Sequence, residues 1–328
     1  MRVYVKTPCR LHLALIDLNG DLGRVDGSFG LALDYPNTIL EASSSSEIKV
    51  VGERADFVED LVRRFLQRTG VKGSVRVSVK NLIPAHVGLG SGTQLSLAVA
   101  SALSRVFRIR KTTSEIAEIM GRGGTSGIGV TAFEEGGLIV EGGHSFGDGK
   151  EKHSFLPSAA SSARPPQVIA RFEVPKNWRF VVAIPNVQPS LHGKDEVQVF
   201  ADRCPISPEE VGKVCRLILV KALPSLLERD IVGFGSALNG LQEVGFAGAT
   251  KDLMHPVAKE CIDFMRTKGA YAAGQSSFGP ATFALVQGGA QTEKLVALVK
   301  SFLAEHDGGT VFQASVNHGG ALVKLIQK

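Results

Sequence analysis

Apolar and polar residues alternate in several short stretches near the start of the chain. The alternation over Arg2–Lys6 predicts a strand, and residues 11–18, which are apolar with polar interruptions, predict a second one. Residues 20–30 are rich in turn-forming residues and predict a turn before a short strand at 31–33. The valines at 75, 77 and 79 predict a further strand with one buried face.

Other stretches repeat their apolar residues every three or four positions, as helices do. Phe57, Leu61, Val62, Phe65 and Leu66 predict an amphipathic helix. Residues 95–107 are apolar almost all round, which predicts a buried helix. Residues 113–115 form a cap for a short helix ending at residue 120, and residues 121–129 contain too much glycine for regular structure.

The second half of the chain alternates strand and helix patterns. We expect strands at 180–184, around Tyr271, around Phe283 and at 311–315. Helices are predicted over 207–221, 230–244, 255–267 and 292–304. The whole pattern is typical of an α+β fold.

Residues 142–167 are rich in Gly, Ser, Ala and Pro, which favours a linker or a lid. Asp148, Lys150, Glu151 and Lys152 are expected to be exposed there. A chain of 328 residues exceeds the length at which one hydrophobic core usually stops growing. We therefore predict two domains, at 1–170 and 171–328, with the boundary near Arg171.

Composition excludes several classes of protein. A hydrophobic content of 44% and a net charge of +5 describe a globular chain, and with one Trp and three Tyr it has no aromatic platform for nucleic acid. The four cysteines lie far apart, which argues against zinc and disulfides. No apolar run approaches the roughly 20 residues of a membrane span, so we expect a soluble cytoplasmic protein without membrane partners.

A glycine-rich segment at 84–93, Pro-Ala-His-Val-Gly-Leu-Gly-Ser-Gly-Thr, follows a predicted strand and opens a predicted helix. Free backbone N–H groups and the helix dipole suit a phosphate at such a place, although a tight strand-to-helix turn would look the same. The candidate phosphate ligands are His86, Gly88, Gly90, Ser91, Gly92 and Thr93.

Charge along the chain supports an anionic ligand for this segment. No acidic residue lies between Asp60 and Glu115, and ten cations do. They are Arg63, Arg64, Arg68, Lys72, Arg76, Lys80, Arg105, Arg108, Arg110 and Lys111. We therefore expect a basic surround for the glycine loop.

Asp17 ends an apolar run, where a carboxylate is either functional or paired structurally. Arg10 and Arg24 flank it and are candidates either for its partners or for phosphate clamps. His86 has a better claim to charge sensing than His12, which alternates with apolar neighbours. His192 is placed with Lys194 and Glu196 in a loop over a cleft.

Four segments in order resemble the GHMP kinase superfamily, named for galactokinase, homoserine kinase, mevalonate kinase and phosphomevalonate kinase. They are residues 7–17 (Thr-Pro-Cys-Arg-Leu-His-Leu-Ala-Leu-Ile-Asp), 84–93, 124–129 (Gly-Thr-Ser-Gly-Ile-Gly) and 274–279 (Gly-Gln-Ser-Ser-Phe-Gly). The resemblance implies a ribosomal protein S5 domain 2-like N-terminal domain, a ferredoxin-like C-terminal domain, a cleft between them and, by analogy, a homodimer. It also places Ser126, Gly127, Gln275, Ser276 and Ser277 at the substrate, with the last three facing the glycine loop.

Position 129 separates this chain from the kinases it resembles. Their Ser-Gly-Ile/Val is commonly followed by an Asp that serves as base or orients the acceptor, and here the residue is Gly129. Residues 122–129, 15–20 and 274–280 look like one branch of the superfamily, the β-ribofuranosylaminobenzene 5′-phosphate synthases.

That branch implies a glycosyl transfer from phosphoribosyl diphosphate to 4-hydroxybenzoate or 4-aminobenzoate, with loss of diphosphate and CO₂, early in methanopterin biosynthesis. The resemblance implies Mg²⁺ on the leaving group, with Glu118 and Ser91 as candidate ligands, and no pyridoxal-type cofactor. Asp17 or Asp26 is the candidate anion near the ribose. Two rival hypotheses stay open, an ATP-dependent small-molecule kinase and a nucleotide-binding regulatory module without chemistry.

Overall fold

A computed structural model describes residues 2–188 and 194–326 as a chain of alternating strands and helices. Of the loop predicted over a cleft, His192 lies outside the described residues, whereas residues 194 and 196 belong to a helix, so the loop is wrong for them. The strands are β1 (Arg2–Lys6), β2 (Cys9–Asp17), β3 (Arg24–Leu33), β4 (Ile39–Ser45), β5 (Lys49–Val51), β6 (Ser74–Asn81), β7 (Leu138–Glu141), β8 (His144–Ser145), β9 (Val168–Phe172), β10 (Trp178–Pro185), β11 (Ala272–Gln275), β12 (Thr282–Gln287), β13 (Gly309–Ala314) and β14 (Leu322–Ile326).

The helices separate these strands. They are α1 (Ala55–Thr69), α2 (Ser91–Val106), α3 (Thr113–Met120), α4 (Ile128–Glu134), α5 (Lys194–Arg203), α6 (Pro208–Arg216), α7 (Leu223–Leu227), α8 (Ile231–Leu241), α9 (Gly245–Ala249), α10 (Pro256–Thr267) and α11 (Gly289–Ala304). A π-helical segment, Leu217–Ala222, joins α6 to α7, and one 3₁₀ turn, Lys251–Leu253, follows α9.

The strands form three sheets. In the first, the order is β14-β1-β4-β6-β5, in the second β2-β3-β7-β9 with β8 attached to β3, and in the third β11-β12-β10-β13. Helix α2 packs on the first sheet and buries eleven consecutive residues from Gln94 to Ser104, as its all-round apolar pattern predicted. The third sheet carries α10 and α11 on one face.

Several predicted bounds are wrong for local reasons. The expected turn at 20–30 is largely strand, because β3 begins at Arg24 and tolerates two glycines. A Cβ on Gly30 would lie 2.6 Å from the Leu11 carbonyl oxygen and 2.8 Å from Ile128, so glycine there allows close packing of α4. The cap of α3 is Thr112, one residue earlier than predicted, in a capping box with Glu115.

One hydrophobic core crosses the predicted domain boundary. Leu11, Phe29 and Leu31 of the second sheet belong to the same buried cluster as Phe180 and Phe283 of the third. Strand β14, near the end of the chain, pairs antiparallel with β1, and β9 runs through residues 168–172. The division at 170/171 stays a prediction, and the two halves share both a core and a sheet.

Candidate active site

The glycine loop between β6 and α2 has the backbone shape that its sequence suggests. Gly88 and Gly90 take positive φ values of 90° and 77°, and exposed His86 takes 60°. A Cβ on Gly88 would lie 2.2 Å from the carbonyl oxygen of Ser276, so only glycine fits. No side chain caps α2, whose first residue is Ser91, which leaves the amides of its first turn available to an anion.

Arg10 lies against this loop, as a phosphate clamp would. Its amide donates to the carbonyl oxygen of Leu89 at 3.1 Å, and its Nη1 donates to that of Gly88. A Cβ on Gly90 would lie 2.8 Å from Cγ of Arg10, so the side chain passes over the loop. Burial lowers the pKa of Arg10 to about 10, which leaves the guanidinium charged at neutral pH.

A second guanidinium, Arg122, reaches the same helix start, and the sequence reasoning missed its role. Its Nε donates to Ser96 Oγ at 3.1 Å, and its terminal nitrogens lie 3.5 and 3.6 Å from where a Cβ of Gly92 would be. Burial and the nearby charge of Arg64 both lower its pKa, and no described carboxylate pairs with it. The one sequence feature that could have indicated a role for Arg122 is that it begins the segment 122–129.

The expected basic surround of the loop is wrong for the last four of the ten cations. They line a groove of about 930 Å³ with Phe133 and Val323, and they are Arg105, Arg108, Arg110 and Lys111. The groove is at the C-terminal end of α2, and a 16-residue helix is about 24 Å long. For these four residues, a position near the loop in sequence did not place their charge at the loop, where Arg10 and Arg122 stand.

The segment 274–279 contacts the glycine loop, as the resemblance implied. Ser276 Oγ donates to the carbonyl oxygen of Gly88 at 2.7 Å and accepts from the amide of His12 at 3.0 Å. Gln275 Nε2 donates to the carbonyl oxygen of Gly279 at 2.8 Å, which closes the turn. Ser277 is exposed and takes a positive φ of 58°, a strained conformation often found at functional sites.

Asp17 is not paired with either arginine among the described residues. Its Oδ1 accepts from the amides of Asn19 at 2.7 Å and Gly20 at 3.2 Å, and no described residue bonds its Oδ2. Arg24 donates instead to the carbonyl oxygens of Gly142 and Gly143, both at 2.9 Å. A half-buried carboxylate with one oxygen fixed and the other open remains available to a substrate.

The buried carboxylate nearby is Asp26, which stands opposite Asp17 in the β2–β3 pair. Lys152 Nζ lies 2.8 Å from Asp26 Oδ2 and 3.1 Å from Oδ1, and His144 Nδ1 lies 2.6 Å from Oδ2. Lys152 is 4% exposed, so the prediction that it is exposed is wrong. A carboxylate within a buried strand needs a countercharge, and Lys152 provides it.

Each residue of the turn 124–127 is held in place. Ser161 Oγ donates to the carbonyl oxygen of Gly124 at 2.5 Å, and the amide of Ser126 donates to Ser158 Oγ at 3.3 Å. Thr125 Oγ1 donates to the carbonyl oxygen of Leu156 at 2.6 Å and accepts from Lys152 Nζ at 3.2 Å. The segment 142–167, predicted as a linker or lid, therefore braces the turn.

Glu141 holds the remaining residue of this turn. Its Oε1 accepts from the amide of Gly127 at 2.7 Å, while its Oε2 and the hydroxyl of Ser28 lack partners among the described residues. Burial raises the pKa of Glu141 to about 7, against the opposing effect of nearby hydroxyls and the Gly127 amide. Ser28 and Glu141 are direct cross-strand neighbours, so a protonated Glu141 has an acceptor available.

Gly129 provides no carboxylate and little room for one. A Cβ there would lie 3.1 Å from Cγ2 of Thr93, in the first turn of α2, and Gln94 Nε2 donates to the Gly129 carbonyl oxygen at 2.7 Å. Gly129 is buried at the start of α4. The residue at the position of the kinases' Asp is thus packed against α2.

The metal ligands predicted from the resemblance do not form a cage. Within residues 2–188 and 194–326, no group of three His, Cys, Asp or Glu side chains is placed to hold a metal ion. Glu118 forms an ion pair with Arg164 at 3.3 Å, and Ser91 begins α2 beside the glycine loop. The Mg²⁺ site with Glu118 and Ser91 stays a prediction.

Two family models match this chain, one in each half. Residues 56–137 match the family model of the GHMP kinases N terminal domain, and residues 222–307 match that of the GHMP kinases C terminal. None of the described helices has the length and apolar character to span a membrane.

Three archaeal relatives carry one name, beta-ribofuranosylphenol 5′-phosphate synthase. The protein of Methanothermobacter thermautotrophicus is 43% identical over 87% of this chain and 89% of its own length. That of Archaeoglobus fulgidus is 44% identical over 87% and 88%, and that of Methanocaldococcus jannaschii 41% identical over 85% and 88%.

Two solved kinase structures share this fold. Homoserine kinase from Cytophaga hutchinsonii has a TM-score of 0.70 at 17% identity, with 98% of this chain and 97% of that chain covered. Mevalonate kinase from L. major has a TM-score of 0.66 at 16% identity, with 96% of each covered. These likenesses confirm the predicted α+β GHMP-type fold and carry no activity.

Proposed function

Because this chain belongs to the beta-ribofuranosylphenol 5′-phosphate synthases, pentosyltransferases on the GHMP kinase fold, we propose that it joins phosphoribosyl diphosphate to 4-hydroxybenzoate or 4-aminobenzoate. The observation that carries the proposal is the pairing of a phosphate loop with a missing kinase acid. The loop presents the start of α2 and the guanidinium of Arg10, while position 129 is glycine packed on Thr93.

The reaction balances without an oxidant or a reductant. The bond from C1′ to the diphosphate oxygen breaks, and diphosphate leaves with the electron pair. The ring carbon that bears the carboxylate forms the new bond to C1′, and the para oxygen or nitrogen accepts the positive charge of the ring. The bond to the carboxylate then breaks, CO₂ leaves, and its electron pair restores the aromatic ring.

The protein's own groups act on the charges that develop. Helix amides and guanidinium groups stabilise the negative charge that accumulates on departing diphosphate, and Arg10 and Arg122 stand at that helix start. The open Oδ2 of Asp17 is suited to the positive charge at C1′. The turn 124–127, with Ser126 and Gly127, and the loop carrying Gln275, Ser276 and Ser277 would enclose the ribose phosphate.

Mg²⁺ would neutralise the diphosphate and make it a better leaving group. We assign it to the substrate complex, with the Ser91 hydroxyl as its protein ligand. Glu118 would have to leave Arg164 to join it.

The experiment that tests the proposal mixes purified protein, Mg²⁺ and phosphoribosyl diphosphate with carboxyl-labelled 4-hydroxybenzoate or 4-aminobenzoate. We expect labelled CO₂ and diphosphate in equal amounts, together with a C-riboside 5′-phosphate. Calorimetric titration with ATP and with phosphoribosyl diphosphate separates the alternatives. Binding of ATP without binding of phosphoribosyl diphosphate would overturn the proposal in favour of a kinase or a nucleotide-binding regulator.

A further inference from the structure

A cavity of about 80 Å³ lies beside the loop 274–279, and apart from Gln275 and Ser277 its wall has no role in the function proposed so far. Strand β2 supplies one wall, with His12 and Ala14, and α9 supplies the other, with Phe246 and Ala247. Its volume is about half that of an engineered apolar cavity that binds benzene, roughly 150 Å³. Ser277 lines the cavity and is exposed, so the cavity is open to solvent and would enclose part of an aromatic ring while the rest of the molecule stays outside.

Aromatic rings form part of the wall. Phe246 and Phe278 meet edge to face, with ring centroids 5.7 Å apart and planes at 78°, and Phe200 packs on Phe246 at 4.7 Å. Aromatic pairs in this geometry leave faces and edges that favour a third ring. Met254, whose sulfur is polarizable and adaptable, completes the apolar part.

The polar part of the wall suits a negatively charged substituent on an aromatic ring. Lys251 lines the cavity with a half-exposed ammonium that also pairs with Glu243. Burial and the charge of Arg10 lower the pKa of His12 to about 3, so its imidazole is neutral at physiological pH. No described residue bonds the His12 ring, so it offers both a donor and an acceptor.

The cavity is structurally continuous with the glycine loop. His12 and Ser277 belong to the cavity wall, and the Ser277 amide donates to the His12 carbonyl oxygen at 3.4 Å. Ser276, between Gln275 and Ser277 of the wall, donates to the Gly88 carbonyl oxygen. A ring held in the cavity would therefore contact residues that adjoin Ser276, which is bonded to the glycine loop.

We propose that this cavity is the subsite for the aromatic acceptor, a para-substituted benzoate whose ring packs on Phe246 and Phe278 and whose anionic substituent faces Lys251. The proposal rests on the proposed function for the identity of the acceptor. The features of the cavity that match this acceptor are the aromatic pair of Phe246 and Phe278 and the half-exposed ammonium of Lys251.

The test fills the cavity without touching the glycine loop. Ala247→Met places a longer side chain in the space, and we expect the KM for 4-hydroxybenzoate to rise at least tenfold while the KM for phosphoribosyl diphosphate changes less than twofold. Ala304→Met, at the exposed end of α11, is the matched control and should leave both values unchanged. Lys251→Met, at a half-exposed position, should raise the acceptor KM about fivefold or more.

Direct binding separates failure of the subsite from failure of the function. Saturation-transfer NMR with 4-hydroxybenzoate, in the presence of phosphoribosyl diphosphate, reports binding even in a protein without turnover. Binding that is lost in Ala247→Met and kept in Ala304→Met supports the subsite, whatever the activity. Normal acceptor KM and normal binding in a folded Ala247→Met protein would overturn the subsite and leave the proposed function standing.

Discussion

At the scale of single residues, Asp17 and Glu141 are carboxyl groups in opposite situations. Asp17 is half-buried and keeps one oxygen open, whereas Glu141 is fully buried behind the turn 124–127. An open carboxylate can stabilise positive charge on a substrate, and a buried one with a raised pKa acts on the stability of the fold. Each of these roles leads to a measurement on one variant.

Asp17→Asn should lower turnover by about 10²–10³ while leaving the affinity for phosphoribosyl diphosphate within a few-fold, because it removes one preorganised charge from the transition state. The asparagine Oδ1 can still accept from the amides of Asn19 and Gly20, so the local turn survives. Steady-state kinetics, calorimetry and a melting temperature measure the three quantities.

Exposed Asp21→Asn is the control for Asp17→Asn and should behave as the unmodified protein. If Asp17→Asn binds phosphoribosyl diphosphate more weakly and excess Mg²⁺ restores the binding, Asp17 is a metal ligand. Unchanged turnover per folded molecule would remove it from the mechanism.

Glu141 should make the protein less stable as the pH rises from about 4.5 to 7. Its pKa is about 7 in the folded state and 4.5 as the ordinary value, so the folded state holds the proton more tightly. The stabilisation is therefore complete below pH 4.5 and is lost as the pH rises through 7, on the order of 3 kcal/mol.

Glu141→Gln removes this titration and keeps an acceptor for the Gly127 amide. We expect its melting temperature to exceed that of the unmodified protein at pH 8 and to fall below or equal it at pH 4.5. Glu305→Gln, at an exposed position, controls for a changed surface charge. A difference in melting temperature that stays constant over this pH range would show that Glu141 is ionised in the folded state.

At the scale of elements, the segment 142–167 has the composition of a loop and the contacts of a core element. It carries Lys152 and the carbonyl and hydroxyl groups that hold the turn 124–127, and Arg24 fixes its start through Gly142 and Gly143. Gly, Ser and Pro disfavour regular structure without preventing burial. The segment therefore braces the turn 124–127, and the buried ion pair of Lys152 with Asp26 is part of that brace.

Lys152→Met should destabilise the protein by about 3–5 kcal/mol, because it leaves the buried Asp26 carboxylate without its cation. Chemical denaturation measures the loss. The double variant Asp26→Asn/Lys152→Met should recover much of it, since no buried charge then remains. Lys150→Met, exposed in the same segment, is the matched control and should stay within about 0.5 kcal/mol. A single variant as stable as this control would mean that the ion pair does not brace the fold.

At the scale of the whole molecule, the two predicted domains depend on each other. The core that joins the second and third sheets is continuous, and β14 completes the sheet that β1 begins. The two halves, residues 1–170 and 171–328, therefore cannot move far apart without exposing apolar surface. The predicted homodimer stays a prediction.

A fragment of residues 1–170 should not unfold cooperatively by itself, because it lacks β14 and the core partners Phe180 and Phe283. Mixing it with a fragment of residues 171–328 should restore a single cooperative transition, measured by circular dichroism during heating. Extending the first fragment with residues 320–328 through a flexible linker is the informative control, since it returns only the missing strand. A sharp transition in residues 1–170 alone would establish an independent domain and contradict this account.

The sequence determined much of the secondary structure and the outline of the site, for reasons that act locally. Periodicity located α1, α2 and β6, since burial of one face requires it, and the glycines at 88 and 90 specified a backbone that only glycine adopts easily. The resemblance to the GHMP kinases implied that residues 274–279 face the glycine loop, and the contact of Ser276 with Gly88 confirms it. Asp17 was named because it ends an apolar run, and Arg10 because it flanks Asp17.

The tertiary structure alone decided which distant groups share a site. Lys152 lies 126 positions from Asp26, and Arg122 lies 30 positions from Gly92, so no local pattern could pair them. The four cations at the C-terminal end of α2 show the reverse, because they are near the loop in sequence and about a helix length away from it in space. Burial of a charge is a property of everything packed around it, and only the folded chain brings those neighbours together.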